Sequence, residues 1–146
     1  MDTDPLTPAD ERLVDRAVDA AENAFSPAGE GRFDGAAHVV TAAVETADGD
    51  VYTSASLPAS IGRASTCAEP GAIGSAVADG AQAFERVVAV EHPRDEHADD
   101  FRVVSPCGVC AELLADYGPD VRAVVRTDDG EVGVCRAGDL LPARTW

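Results

Sequence analysis

Three of the four cysteines fall into two short groups, Cys67-Ala68-Glu69 and Pro106-Cys107-Gly108-Val109-Cys110. Each group stands where a loop or strand is predicted to enter a helix. Free N–H groups and the positive end of the helix dipole stabilise a thiolate at such a place. Cys107 and Cys110 can point into one site, and Cys67 can supply a third sulfur. Three protein ligands leave one tetrahedral position open for water, the pattern of catalytic zinc, whereas a structural site takes a fourth protein ligand. Glu69, two residues past Cys67, is near enough to reach that position without ligating. Zinc lowers the pKa of a bound water toward about 7, and an adjacent carboxylate can take the proton and pass it on. The expected set is therefore Cys67, Cys107 and Cys110 as Zn2+ ligands with Glu69 as the catalytic acid–base. Two other classes share part of the pattern. A redox dithiol would cycle Cys107 and Cys110 without metal, which leaves Cys67 and Glu69 without a role. A non-catalytic zinc-stabilised binding domain would keep the metal and release no product; the intact Glu69 argues against it.

The elements that must hold these residues follow from periodicity. Thr7-Pro8 followed by Asp10 gives a helix start with a hydroxyl cap, proline in the first turn and an acid at the positive end. Leu13, Val14, Ala17, Val18, Ala21 and Phe25 then recur on one face. Residues 26–35, with Pro27 and three glycines, break that helix into a loop. Stretches 38–45 and 51–57 are β-rich, and Asp48-Gly49 between them is a hairpin signal. Helices are predicted over 67–82, where Gly71, Gly74 and Gly80 imply close packing, and over 107–117, stopped by Gly118-Pro119. Strands at 86–91, 121–126 and 131–135 complete the order α-β-β-α-β-α-β-β, an α/β class with a single five-stranded sheet and helices packed on it. Cys135, in the last strand, reads as a small core residue, and His92 and His97 flank a charged loop as exposed side chains. The 146 residues are expected to form one domain, with 1–6 as a disordered tail.

Composition bounds the partners. Asp and Glu number 27 against 11 Lys+Arg, a net charge of −16, and every basic residue is arginine. Nucleic acids and anionic membranes are bound through Lys and Arg, so neither is expected as a partner. The acids run from Asp2 to Asp139 rather than forming a tail, which is how a salt-adapted surface is built. There is no run of about 18 apolar residues, and Met1-Asp2-Thr3-Asp4-Pro5 lacks the regions of a signal peptide. A cytoplasmic location is expected, where cysteines stay reduced.

The two cysteine groups, with Ser105 ahead of Pro106, resemble the zinc site of the cytidine deaminase family, whose signature combines these spacings. The resemblance covers about the whole chain from residue 7: Asp48-Gly49 and Val51-Tyr52-Thr53 follow the family hairpin, and Leu140-Leu141-Pro142 resembles its C-terminal segment. It implies a three-layer fold with a mixed sheet, a homotetramer, and a small-molecule nucleoside substrate. The implied reaction is hydrolytic deamination of cytidine, deoxycytidine or a related 4-aminopyrimidine nucleoside to the uridine form, a step of pyrimidine salvage. It implies too that the backbones of Ala68 and Ser105 grip the base edge. Three departures bear on substrate and metal. The family's Asn-x-Glu for the sugar hydroxyls is Ser56-Leu57-Pro58 here; Ser56 can still bond a sugar, but Pro58 cannot replace a carboxylate. Blasticidin S deaminases, which act on a modified nucleoside, lack the same glutamate. His38 replaces an aromatic residue and can stack on a base. Pro70 and Val109 stand where the family places arginine, which leaves the helix N-termini with Arg63 or Arg102 to offset the thiolate charge. Trp146 stands where an aromatic terminal residue covers a neighbouring subunit's pocket in the family.

Overall fold

The computed structural model of the chain describes residues 1–24, 39–93 and 100–143. Helix α1 (Pro8–Asn23) starts as its sequence demands. Thr7 Oγ1 accepts from the Asp10 N–H at 3.3 Å while the Thr7 N–H donates to Asp10 Oδ2 at 2.8 Å, a reciprocal capping box. Its apolar stripe of Leu13, Ala17 and Ala21 is buried against Ala43, Val88, Val90, Val124 and Val134 of the sheet.

That sheet has six strands: β1 (Val40–Thr46), β2 (Val51–Ala55), β3 (Phe84–Glu91), β4 (Arg102–Val104), β5 (Arg122–Arg126) and β6 (Val132–Arg136). The order is β2-β1-β3-β5-β6, with β4 also paired to β3. Only β3 and β5 run parallel; every other pair is antiparallel, so the sheet is mixed. The five-strand expectation omitted β4. Three residues are too few for a periodic signal, and β4 exists because the end of β3 offers it an edge: Ala89, Val90 and Glu91 pair with Val104, Val103 and Arg102.

The opposite face carries α2 (Glu69–Ala78) and α3 (Gly108–Tyr117). Strand residues there alternate with those under α1: Val44, Val87, Ala123, Val125 and Cys135 form a core with Ile73 and Leu114. The result is three layers, α1 on one face and α2 with α3 on the other. Cys135 is a buried core residue, as its sequence context implies.

Helix α2 is shorter than the predicted 67–82. It ends in a Schellman motif, with the Gly80 N–H donating to Val77 O and the Ala81 N–H to Ala76 O; Gly80 at φ 93° supplies the left-handed residue. Gly71 meets the packing expectation, since a Cβ there would lie 2.1 Å from Ser54 Oγ on β2, but Gly74 has nothing within 4 Å. The segment expected as a loose tail includes Asp4, which exchanges two 2.8 Å backbone hydrogen bonds with Val134. Phe25, the loop read over 26–35, His38, His97 and Trp146 lie outside the described residues.

Toward the start of β3 and β5, away from the cysteines, Asp10 is fully buried. Arg122 donates to both its oxygens, at 3.3 and 2.8 Å. Arg86 Nε lies 3.3 Å from Asp10 Oδ1 without the alignment of a hydrogen bond, and Arg86 also bonds Glu45 at 2.8 Å.

Candidate active site

The two helix starts bring the cysteine groups together. Ala68 caps α2, which sets Cys67 just outside the helix and Glu69 at its first position. Cys107 caps α3 in an extended conformation, and Cys110 falls in the first turn. Beneath them the sheet carries alanines: Ala42 and Ala89 form a small cluster with Ala68, close enough to seat the turn before α2 directly on the sheet. Bulkier residues there would lift Cys67 and Glu69 away.

The three sulfurs lie within 4.8 Å of one another, and Cys67 Sγ is 3.4 Å from Cys107 Sγ. The Cys110 thiol donates to Glu69 Oε2 at 3.2 Å, and both residues are buried. Burial and the Glu69 carboxylate push the Cys110 thiol far above its ordinary range. Burial and the hydrogen bond with Cys107 raise Cys67 as well. At Cys107 burial also acts upward, yet it is outweighed by hydrogen bonding from the Cys110 N–H, the Cys67 and Cys110 thiols and the Val109 N–H, so this thiol is lowered.

This donor set fits a zinc ion. Tetrahedral Zn–S bonds of about 2.3 Å set sulfurs about 3.8 Å apart, close to the spacing seen. Three sulfurs and a carboxylate also crowd together beside a pocket that no arginine lines among the described residues. A divalent cation relieves that clustering by favouring the thiolates. Arg63, on a 3-10 turn (Gly62–Ala64), and Arg102, on β4, are both outside the pocket lining. Of the compensations expected from sequence, the N–H groups opening α3 are the ones in place.

A cavity of about 370 Å³ opens beside the cluster, lined by Cys67, Ala68, Glu69, Ser105 and Cys107 and also by Ser56 and Pro58. Leu57, the middle of that triplet, and Thr66, unanticipated from sequence, line it too; they exchange backbone hydrogen bonds at 3.0 Å and so close the intervening loop into a wall. Of the expected site residues only His38 lies outside the described chain. His92 is exposed, with its ring edge-on to Phe101 at 5.3 Å.

No protein-family model matches the chain. A cytidine deaminase of Sporosarcina psychrophila is 29% identical over 133 residues, 90% of this chain and 88% of that protein. The crystal structure of the cytidine deaminase from Burkholderia pseudomallei superposes with a TM-score of 0.70 at 28% identity, over 94% of this chain and 98% of that one. Blasticidin-S deaminase of Bacillus cereus is 41% identical over 108 residues, 73% of this chain and 76% of that protein. The chain belongs to the cytidine deaminase family. Cytidine deaminase architecture accounts for the way α2 and α3 present their N-termini to one pocket, and within this cytidine deaminase fold the sheet is mixed and six-stranded.

Proposed function

We propose that the protein is a zinc-dependent hydrolytic deaminase of a 4-aminopyrimidine nucleoside, converting the 4-amino group to a 4-oxo group with release of ammonia. The convergence of the Cys67, Cys107 and Cys110 sulfurs with Glu69 beside one pocket, which Cys67, Glu69 and Cys107 line, carries this reading. Zinc held by the three thiolates would supply Lewis-acid activation of water and charge stabilisation in the transition state. Glu69 takes one proton of the attacking water and delivers it to the ring nitrogen N3; as the C4–N bond breaks it carries the proton of the new 4-hydroxyl to the amino group, which leaves as ammonia. As a zinc ligand Cys110 would be a thiolate with no proton to donate, so Glu69 Oε2, which accepts from that thiol here, would be open for this work. Ala68 offers its N–H to the base edge, because its carbonyl already accepts from the Ala72 N–H. The Ser105 carbonyl receives the amino group.

The rest of the pocket lining favours a modified nucleoside of the blasticidin S type over cytidine itself. Ser56, Leu57, Pro58, Ser65 and Thr66 belong to it, and none is a carboxylate that would clasp two ribose hydroxyls. Ser56 Oγ already accepts from the Val40 N–H at 3.0 Å, which leaves its proton and one lone pair to offer a sugar. Ammonia release from cytidine, deoxycytidine, blasticidin S and aminopurine nucleosides tests both levels. The reading predicts turnover of 4-aminopyrimidines with the higher kcat/KM for blasticidin S. A preference for cytidine overturns the substrate choice, and no release from any of them overturns the deaminase.

We infer further a homotetramer in the cytoplasm of a salt-rich cell. Leu57 at 64%, Ile61 at 70% and Val109 at 72% exposure are large apolar side chains that a second copy would cover. Three thiolate ligands require reduced cysteines. Light scattering on the zinc-loaded protein reads the assembly directly.

A further inference from the structure

Strand β3 is shared along one side. Its start pairs with β5, Arg86 with Arg122 and Val87 with Ala123, while its end pairs with β4. Since β1 occupies the whole of the other side of β3, β4 and β5 follow each other along the same edge. Ser105 is the first residue past β4, and Arg126 is the last residue of β5. Between them the Ser105 hydroxyl does the work of a strand backbone: Oγ donates to the Arg126 carbonyl and accepts from the Arg126 N–H, both at 3.0 Å. Next comes Pro106, which has no N–H to donate, and then Cys107, the cap of α3 and a sulfur of the cluster. The two-way link is therefore an anchor of this crossing to the sheet just before the sulfur, at a residue that lines the pocket.

We propose that Ser105 is a positioning residue whose side chain, bonded both ways to the Arg126 backbone, holds its own carbonyl and Cys107 in register with the pocket. The hydroxyl itself does not contact substrate. The kinetic consequence rests on the deaminase reading above; the structural consequence does not.

Three measurements on wild type, Ser105→Ala and Ser105→Thr test it: hydrogen exchange at the Arg126 amide, zinc retention against a chelator, and binding of a 4-amino substrate against its 4-oxo product. In Ser105→Ala the Arg126 amide exchanges at least tenfold faster and zinc is lost at a tenfold lower chelator concentration. KM for the 4-amino substrate rises about tenfold while the product inhibition constant moves less than twofold, because only the amino form donates to the Ser105 carbonyl. Ser105→Thr, which keeps the hydroxyl, matches wild type in all three. A folded Ser105→Ala with unchanged amide exchange and zinc retention overturns the proposal, as does a Ser105→Thr with lowered zinc retention. Equal weakening of the 4-amino and 4-oxo ligands removes the carbonyl from it. A wild type that binds zinc but releases no ammonia refutes the deaminase and leaves exchange and zinc retention to decide the anchor.

Discussion

Glu69 is 4% exposed, and the Cys110 sulfur 3.2 Å away is its hydrogen-bond partner. A carboxylate kept this dry is fitted to move protons rather than to solvate a surface. The sulfurs carry a consequence for metal loading. Burial holds Cys67 and Cys110 above the ordinary thiol range, so both must lose protons when zinc binds. Zinc affinity should therefore rise with pH between about 6 and 8, measurable by chelator competition; affinity independent of pH would contradict three-thiolate ligation. Cys110→Ala should abolish tight zinc binding. These residues were legible in the sequence because cysteine and glutamate at fixed spacing beside helix starts have few other uses. Thr66 and its bridge to Leu57 were not, because a bridge across a loop leaves no periodic trace. Ser56 was legible as a polar residue at the sugar end, but the Val40 N–H that occupies its oxygen was not.

At the scale of elements, α2 must lie close on β2 for Cys67 and Glu69 to reach the cluster. The close approach of Gly71 to Ser54, with Cβ-to-Cβ room of only 3.0 Å, sets that distance. Gly71→Ala should lower Tm and kcat together, although alanine is the better helix former by roughly 1 kcal/mol; Ser54→Gly in the same chain should restore both. A Gly71→Ala enzyme with raised Tm and full activity would show that α2 has slack. Helix α1 is held by different means. Asp10 completes the capping box and meets Arg122 in a buried pair. Burial by itself would raise its pKa, but the hydrogen bonds from Arg122 and Thr7 bring it down to about 2. The stability that ionised Asp10 confers, about 2 kcal/mol, is complete above about pH 4 and is lost as pH falls through the native value. The stability gap between wild type and Asp10→Asn, read by urea unfolding, should thus shrink from pH 5 to pH 2; a constant gap would place the effect in packing. The Thr7-x-x-Asp10 cap was readable locally, whereas its partner, Arg122, lies on β5 and only the folded sheet brings them together. Strand β4 was missed for the same reason, since three residues pair only where β3 offers an edge.

The molecule as a whole carries −16. With no arginine lining the pocket among the described residues, nothing there offsets a substrate phosphate. Nucleoside 5′-phosphates should show kcat/KM at least tenfold below the parent nucleoside at low salt, with the gap narrowing as salt screens the field; equal efficiencies would mean a cation reaches the pocket. Unfolding midpoints should rise toward molar salt as carboxylate repulsion is screened. Hydrolytic deamination by the sulfur cluster and its adjacent carboxylate is decided by single-turnover ammonia release from zinc-loaded Glu69→Gln, with zinc content measured on the same sample. Full zinc occupancy and a rate lower by about 10³ or more are expected. Zinc retained with a near-wild-type rate would contradict it.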